Sequence, residues 1–367
     1  MRSTLVARVG LVLVAGLGLV GCGDDRPEAG PHATGSASSA AGEPVATGGE
    51  RRPLLIAHQG GDLERPSDTL YSFRQAVAGG ADMLDLDIGV TADNRVVVLH
   101  DTTLGRTTNG AGNVSDTTLA GIGALDAAYW FCSDGSTGPD CPSGQYPFRG
   151  IATGDRPAPE GSCAGDFRIP TLDEVLAAFP DIPATIEIKG RTPAETDAEY
   201  VANAEVLAAL LAPLDRTDLT VVSFRQAAVD RFHQLAPDVA VSPGITNAAG
   251  WVLQGTPPGN GVRSFQLPIQ YQGTPVTTEE AVARAHSQGF AWFVWLDADT
   301  EETPGVWRRV LDQCVDGVDT GRPTAFAEVR AAWITAGGAD RCAPAWAGQS
   351  VAAAPQPPAE AVDPTCS

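Results

Sequence analysis

Short apolar runs alternate along this chain with segments whose apolar residues recur every three or four positions, the signature of strands interleaved with helices. Leu54 to Ala57 is the first apolar run and ends at His58. Between Thr69 and Ala78, Leu70, Phe73 and Val77 fall on one helical face. Met83 to Ile88 reads as a second strand and Val96 to Leu99 as a third. A helix over 171–179, entered through Pro170-Thr171, leads to a strand at Ala184 to Ile188. Helix 194–212, strand 219–223, helix 226–235 and strand 239–241 follow. Helix 278–288, strand 291–295, helix 304–313 and a short strand at 317–320 complete the pattern.

Eight strands, mostly separated by helices, predict a parallel sheet that closes on itself. The expected fold is α/β, a TIM-like (β/α)8 barrel over residues 51–330. Its main interruption is an insertion of about residues 105–170 after the third strand, rich in Gly, Pro, Asp and Cys. In a barrel such an insertion belongs on a βα loop at the catalytic face. It carries Tyr129-Trp130-Phe131, which suits either a lipid contact or packing beneath a disulfide-bonded cap.

The two ends do not share this pattern. Arg2 and Arg8 form a basic n-region, Leu5 to Val20 is nearly all apolar, and Leu19-Val20-Gly21-Cys22 resembles a bacterial lipobox. The expectation is a lipoprotein signal peptide at 1–21, with Cys22 diacylated and residues 22–50 as a flexible tether. The protein would then be exported and lipid-anchored to the outer face of a bacterial cell membrane, or secreted if Cys22 is not modified. Residues 331–367 read as a C-terminal tail. Six further cysteines suit an oxidising compartment; Cys132–Cys141 and Cys314–Cys342 are the expected local pairs, leaving Cys163–Cys366. None has the C-x-x-C spacing of a structural zinc site. The formal net charge is −21, and loss of the leader would remove two positive charges more. That argues against nucleic acid or an anionic membrane surface as an electrostatic partner, and no protein partner is implied. Phosphate chemistry on such a chain needs a metal ion or a local cationic pocket.

Candidate chemistry sits at the strand ends. His58 and His100 each follow an apolar strand run, where a barrel places its active site. Asp85 and Asp87 are two apart in a strand and so share a face, with Leu84, Leu86 and Ile88 on the other. Two buried carboxylates so placed require a cation or a proton between them. Glu187 and Lys189 repeat this spacing in Thr185-Ile-Glu-Ile-Lys189.

Residues 54–108 resemble the opening of the glycerophosphodiester phosphodiesterase family. That family has a strand-end His-Arg-Gly, a Pro-Glu-Asn-Thr helix start, an acidic-x-Asp strand and Val-Val-x-His-Asp. This chain has His58-Gln59-Gly60-Gly61, Pro66-Ser67-Asp68-Thr69, Asp85-Leu86-Asp87 and Val97-Val98-Leu99-His100-Asp101. Ile186-Glu187-Ile188-Lys189, Ser223-Phe224 and Gly317 to Pro323 follow in the family's order, so the resemblance covers roughly 54–325. It implies metal-dependent hydrolysis of a glycerophosphodiester to glycerol 3-phosphate and an alcohol. His58 and His100 would be the acid–base pair, and Asp85, Asp87 and Glu187 the ligands of a divalent cation, Ca²⁺ or Mg²⁺. Lys189, Gln59, Asp101 and Trp295 would line the substrate site, Asp101 by orienting His100. The alternatives are phospholipase D-like action on lysophospholipid or sphingolipid headgroups, or a surface lipoprotein that binds a ligand without turnover. Five departures stand out: Gln59 for arginine, Ser67 for glutamate, Asp85 for the usual glutamate, Thr320-Gly321-Arg322-Pro323 for Thr-Asp-x-Pro, and Trp295-Leu296-Asp297 where Trp-Thr-x-Asn is common.

Overall fold

The computed structural model describes residues 51–296 and 300–347, so Cys22, Asp297 and Cys366 lie outside the described residues. The strands are β1 (Leu54–His58), β2 (Met83–Val90), β3 (Val96–Val98), β4 (Ala184–Ile188), β5 (Leu219–Val222), β6 (Ala240–Val241), β7 (Ser264–Pro268), β8 (Gln270–Tyr271), β9 (Thr274–Pro275), β10 (Ala291–Trp295) and β11 (Gly317–Thr320). The helices are α1 (Leu70–Ala78), α2 (Leu119–Ile122), α3 (Leu172–Ala178), α4 (Asp197–Leu211), α5 (Gln226–Leu235), α6 (Ile245–Gln254), α7 (Glu279–Ser287), α8 (Pro304–Leu311), α9 (Pro323–Thr335) and α10 (Gly338–Trp346). Eight strands run parallel in the order β6-β5-β4-β2-β1-β11-β10-β7, and a parallel bridge between Val241 and Val262 joins the two ends of that series. The result is the expected α/β barrel, with an antiparallel β8–β9 hairpin beside it.

Period-2 alternation divides each barrel strand between two cores. Leu55, Ala57, Leu84, Leu86, Ile186, Val221, Val294 and Val318 face the helices in one large cluster. Leu54, Ile56, Met83, Ala291 and Phe293 form a smaller cluster of their own. These are the residues that alternate with the first set, so they fill the lower barrel interior. Thr185 and Gln266 hydrogen-bond to each other at 2.8 Å from β4 and β7. Above that level the same inward positions become His58, Asp85, Asp87 and Glu187.

The set of eight differs from the expected one by one member. Val96–Val98 is buried but antiparallel, pairing with β2 outside the barrel series. The reason is connection length: only residues 91–95 separate it from β2, and a parallel crossover needs a dozen or more. The tight turn is held by the Thr91 N–H to the Arg95 carbonyl at 3.0 Å and by Asn94 at φ +56°. The eighth barrel strand is β7, whose Ser264, Gln266 and terminal Pro268 hide the apolar alternation. The insertion therefore follows the third strand of the sequence but lies between the second and third strands of the barrel.

Sequence periodicity also left α6, α9 and α10 unassigned. The chain beyond residue 330 is helical through Trp346, and α10 is tied to the end of α8 by Cys314–Cys342. Cys132–Cys141 closes a loop within the insertion, and Cys163 is disulfide-bonded as well. Phe131 packs on Phe148, while the Arg149 guanidinium lies 4.2, 4.5 and 3.6 Å from the rings of Tyr129, Trp130 and Tyr146. The aromatic triplet thus serves packing inside the cap. No helix among the described residues is long and apolar enough to cross a membrane.

Carboxylates just before β2 and β11 pin the lower end of the barrel. Asp82 accepts the Leu55 N–H at 2.9 Å and pairs with Arg52 and Arg330. Asp316 Oδ2 accepts the Trp292 N–H at 2.7 Å and lies 2.8 Å from His286 Nε2, while its Oδ1 pairs with Arg51. Asp82→Ala is expected to destabilise the fold by about 3–5 kcal/mol, because it strands the buried Arg330 charge. Urea unfolding checks this; an unchanged midpoint would refute the assigned role.

Candidate active site

The site forms at the upper rim, where strand register brings the charged inward positions together. His58 is opposite Asp85 across β1–β2, and Asp87 is opposite Glu187 across β2–β4. After His58 the backbone turns sharply through Gln59, Gly60 and Gly61, all at positive φ. A Cβ on Gly60 would meet Ser72 Oγ at 2.4 Å, so this position admits only glycine. Ser72 in turn completes the capping box with Thr69 that starts α1. Asp68, just before that cap, also has positive φ, which aspartate tolerates better than most residues.

His100 reaches the site by a different route from that expected. It follows β3, which runs antiparallel to β2, so it meets the rim from above. Leu99 N–H bonds the Asp87 carbonyl at 2.8 Å and His100 N–H bonds Asp68 Oδ2 at 3.1 Å, which sets its height. Both imidazoles are anchored through Nδ1: His58 lies 3.1 Å from Asp62 Oδ1, and His100 lies 2.8 Å from Asp101 Oδ1. That leaves Nε2 of each ring for proton transfer, that of His58 also lying 3.4 Å from the Gln59 side-chain amide nitrogen. Asp101 is itself bound by Arg106 Nε at 2.6 Å. Burial would raise the Asp101 carboxyl, but His100 and Arg106 hold it well below the usual carboxylate range.

Asp62 was not singled out in the sequence, yet it explains one of the departures. A Cβ on Gly321 would lie 2.4 Å from Asp62 Oδ1. The space for a side chain at 321, where the resembled family carries aspartate, is thus filled by a carboxylate from the β1–α1 turn.

Four carboxylates and one ammonium occupy the centre. Lys189 Nζ lies 3.0 Å from Asp87 Oδ1 and 2.8 Å from Glu187 Oε1. Gln59 is buried and its amide donates to Asp87 Oδ2 at 2.7 Å, so this expected substrate contact is taken up by a carboxylate. Burial raises Asp87, but Lys189 and the two histidines bring it below its ordinary value. Burial would lower Lys189, and Asp87 and Glu187 more than reverse that, keeping it charged. Burial raises Glu187 and is only partly offset by Lys189.

Asp85 sits in a second group, separate from Asp87 and Glu187. One ligand atom from each of His58, Asp85 and Asp319 falls within 4.8 Å of the others. Burial, then Asp319 and Asp87, push Asp85 well up. Burial pushes Asp319 up to about 7, with His58 opposing and Glu302 adding to the effect. His58 is itself disfavoured as a cation by burial, but Asp62, Asp319 and Asp85 hold it well above the ordinary histidine value. Asp319 was passed over in the sequence as part of a terminal motif, although it alternates with inward-facing Gly317. Asp68 was likewise quoted only within a helix start.

A divalent cation fits this chemistry. The rim donors are all oxygen or imidazole, negative charge exceeds the positive charge of Lys189, and Asp319 Oδ1 and Asp68 Oδ1 are buried without a hydrogen-bond partner. On the opposite wall Trp295 donates to the Gln266 carbonyl at 3.3 Å and meets Phe224 edge-on, ring centroids 5.9 Å apart. Phe224 is 41% exposed, so this pair presents an apolar surface near Lys189, whose Nζ is 5.9 Å from the Phe224 ring.

Comparison with known proteins identifies similar sequences and similar folds. A sequence model described as "Glycerophosphoryl diester phosphodiesterase family" matches residues 58–325. The chain is 38% identical over 140 residues to a glycerophosphodiester phosphodiesterase of Caldanaerobacter subterraneus, covering 38% of this chain and 46% of that protein. It is 36% identical over 135 residues to a lysophospholipase D of Rattus norvegicus, covering 36% of this chain and 35% of that protein. Matches to three bacterial relatives span 63%, 46% and 36% of the relatives' own lengths. Among solved structures, a phosphodiesterase of Oleispira antarctica in complex with the product sn-glycerol-3-phosphate shares the fold. The TM-score is 0.52 at 21% identity, over 76% of this chain and 96% of that one.

The buried carboxyl pair sets a pH dependence of stability. With its folded pKa raised from 3.8 to about 7, Asp319 keeps in the folded state a proton that it loses on unfolding. Stability of the metal-free protein is therefore expected to fall as pH rises across that window. His58 acts with the same sign, because its folded value is raised above 6.5. Urea midpoints measured in chelator should decrease accordingly, and a midpoint rising across the window would contradict a raised Asp319 carboxyl.

Proposed function

The chain belongs to the glycerophosphoryl diester phosphodiesterase family, and from that premise we propose that it hydrolyses a glycerophosphodiester to glycerol 3-phosphate and an alcohol. The observation that carries this reading is the pair of imidazoles, each anchored through Nδ1 to a carboxylate at the rim of a buried acidic centre. One imidazole takes the proton of the attacking oxygen as that oxygen bonds to phosphorus. The other gives a proton to the oxygen of the departing alcohol as its P–O bond breaks. Overall one water is consumed. Asp62 and Asp101 act as positioning residues that fix the two rings.

Asp85, Asp87 and Glu187 would hold a divalent cation, Ca²⁺ or Mg²⁺, which supplies charge neutralisation at the phosphoryl oxygens when bound. Lys189 is a phosphate contact in this reading, its ammonium kept charged by its carboxylate neighbours. Asp101 serves the site only through His100, and Gln59 through Asp87. The chain is exported in this reading, with Cys22 as its lipid anchor; the disulfides Cys132–Cys141 and Cys314–Cys342 support an oxidising compartment.

The Phe224–Trp295 surface favours a second reading, in which the departing group is part of a lysophospholipid or sphingolipid. A similar rat protein carries the name lysophospholipase D. The reading without turnover gains less support, because both imidazoles and all the expected carboxylates are present at the rim.

Glycerol 3-phosphate release from glycerophosphocholine is expected with Ca²⁺ or Mg²⁺, to vanish on chelation and to return on metal add-back. His58→Ala or His100→Ala should each lower kcat by about 10²–10⁴. Full activity in His100→Ala would sink the acid–base assignment. Lysolipids turned over in preference to glycerophosphodiesters would establish the second reading, and no turnover on either panel would leave ligand binding. Cys22→Ser should move the protein from the detergent phase to the aqueous phase on Triton X-114 partitioning; an unchanged distribution would remove the anchor.

A further inference from the structure

We propose that Asp319 is an additional ligand of the site's divalent cation, sharing it with Asp85 in the space bordered by His58. The inference rests on the metal-dependent reading above and changes where in the rim the ion sits. The expected ligands come from β2 and β4 alone. Asp319 comes from β11, on the far side of β1, and lies in register with Ile56 and Trp295. It therefore closes the ligand set across the barrel mouth.

Three observations carry it. The ligand atoms of Asp85, Asp319 and His58 lie within 4.8 Å of one another. Oxygens bound to one Ca²⁺ at roughly 2.3–2.6 Å can be no more than about 5 Å apart, so this spacing suits a common ion. Asp319 is only 8% exposed, and its Oδ1 has no hydrogen-bond partner. A carboxylate oxygen buried in this way requires a proton or a cation. Lastly, the fixed positive charge is unevenly placed. Lys189 already bridges Asp87 and Glu187, whereas among the described residues no lysine or arginine pairs with Asp85 or Asp319. The uncompensated charge is thus at the Asp85–Asp319 pair.

The same placement accounts for Asp85 being a methylene shorter than the glutamate usual in the resembled family. A second carboxylate from β11 supplies the reach that the shorter side chain gives up.

Calorimetric titration of the chelator-stripped mature protein with Ca²⁺ and with Mn²⁺ tests this without reference to turnover. The wild type is expected to bind the cation, and Asp319→Asn to weaken it at least about 10–100-fold, the loss that even outer partners of a metal ligand cause. In chelator, Asp319→Asn should melt at or above the wild-type temperature, because it removes a carboxylate from beside Asp85. Asp319→Cys gives an independent readout: a thiolate at a ligand position favours soft metals, so a thiolate-to-Cd²⁺ charge-transfer band should appear on Cd²⁺ addition. If the wild type binds no divalent cation, the metal-dependent reading fails and this inference with it. If the wild type binds, Asp319→Asn binds equally well and the Cys variant shows no band, Asp319 alone is overturned.

Discussion

The organising constraint of this protein is the excess of buried negative charge at the upper rim of its barrel. Asp85, Asp87, Glu187 and Asp319 converge there, and Lys189 is the ammonium set among them. Burial disfavours each carboxylate, so the arrangement persists only where a proton, an ammonium or a metal ion offsets the repulsion. Lys189 does this for Asp87 and Glu187. Asp85 and Asp319 have His58 beside them and otherwise retain protons to higher pH than an ordinary carboxylate. An overall acidic chain can hold an anion only where its electrostatics are solved locally, and this rim is where that solution is built.

The barrel's lower end shows the contrasting solution. Asp82 and Asp316 are also buried acids, but each accepts a backbone N–H from a neighbouring strand start and pairs with arginine. These groups are satisfied by the protein itself and hold strands in register. Among the described residues Asp85 and Asp319 have no arginine or lysine partner, which separates an assembly kept for stability from one poised to receive a ligand.

The two imidazoles arrive on unlike supports. His58 ends a barrel strand, and its turn is fixed by Gly60, pressed against α1, and by Gly61, pressed against Pro323. His100 is brought down by a short antiparallel strand and tied to Asp68, a residue of the turn that follows His58. The disulfide-bearing insertion begins just beyond His100 and leans on that same region: a Cβ on Gly135 would meet the Leu63 carbonyl at 2.3 Å. Its aromatic residues pack on each other, on Arg149 and on Tyr71 of α1, so the cap is a packed body seated on that helix.

The sequence by itself was enough for the barrel class, both local disulfides, and the two-residue spacing that puts Asp85 with Asp87 and Glu187 with Lys189 on common faces. Those features are local: strand alternation and short loop closure depend on neighbours along the chain. It even contained the evidence against β3 as a barrel strand, since five residues cannot make a parallel crossover. What it did not contain were the relations between strands distant in sequence. Only the closed sheet sets Asp319 beside Asp85, more than two hundred residues away. Only the turn after His58 shows that Asp62 fills the space above Gly321, and only folding decides that Lys189 faces Asp87 and Glu187 while Asp85 is left with His58 and Asp319. Register across a closed barrel is a property of all eight strands at once, which is why the chemistry-bearing residue types were legible early and their partnerships were decided by the tertiary structure.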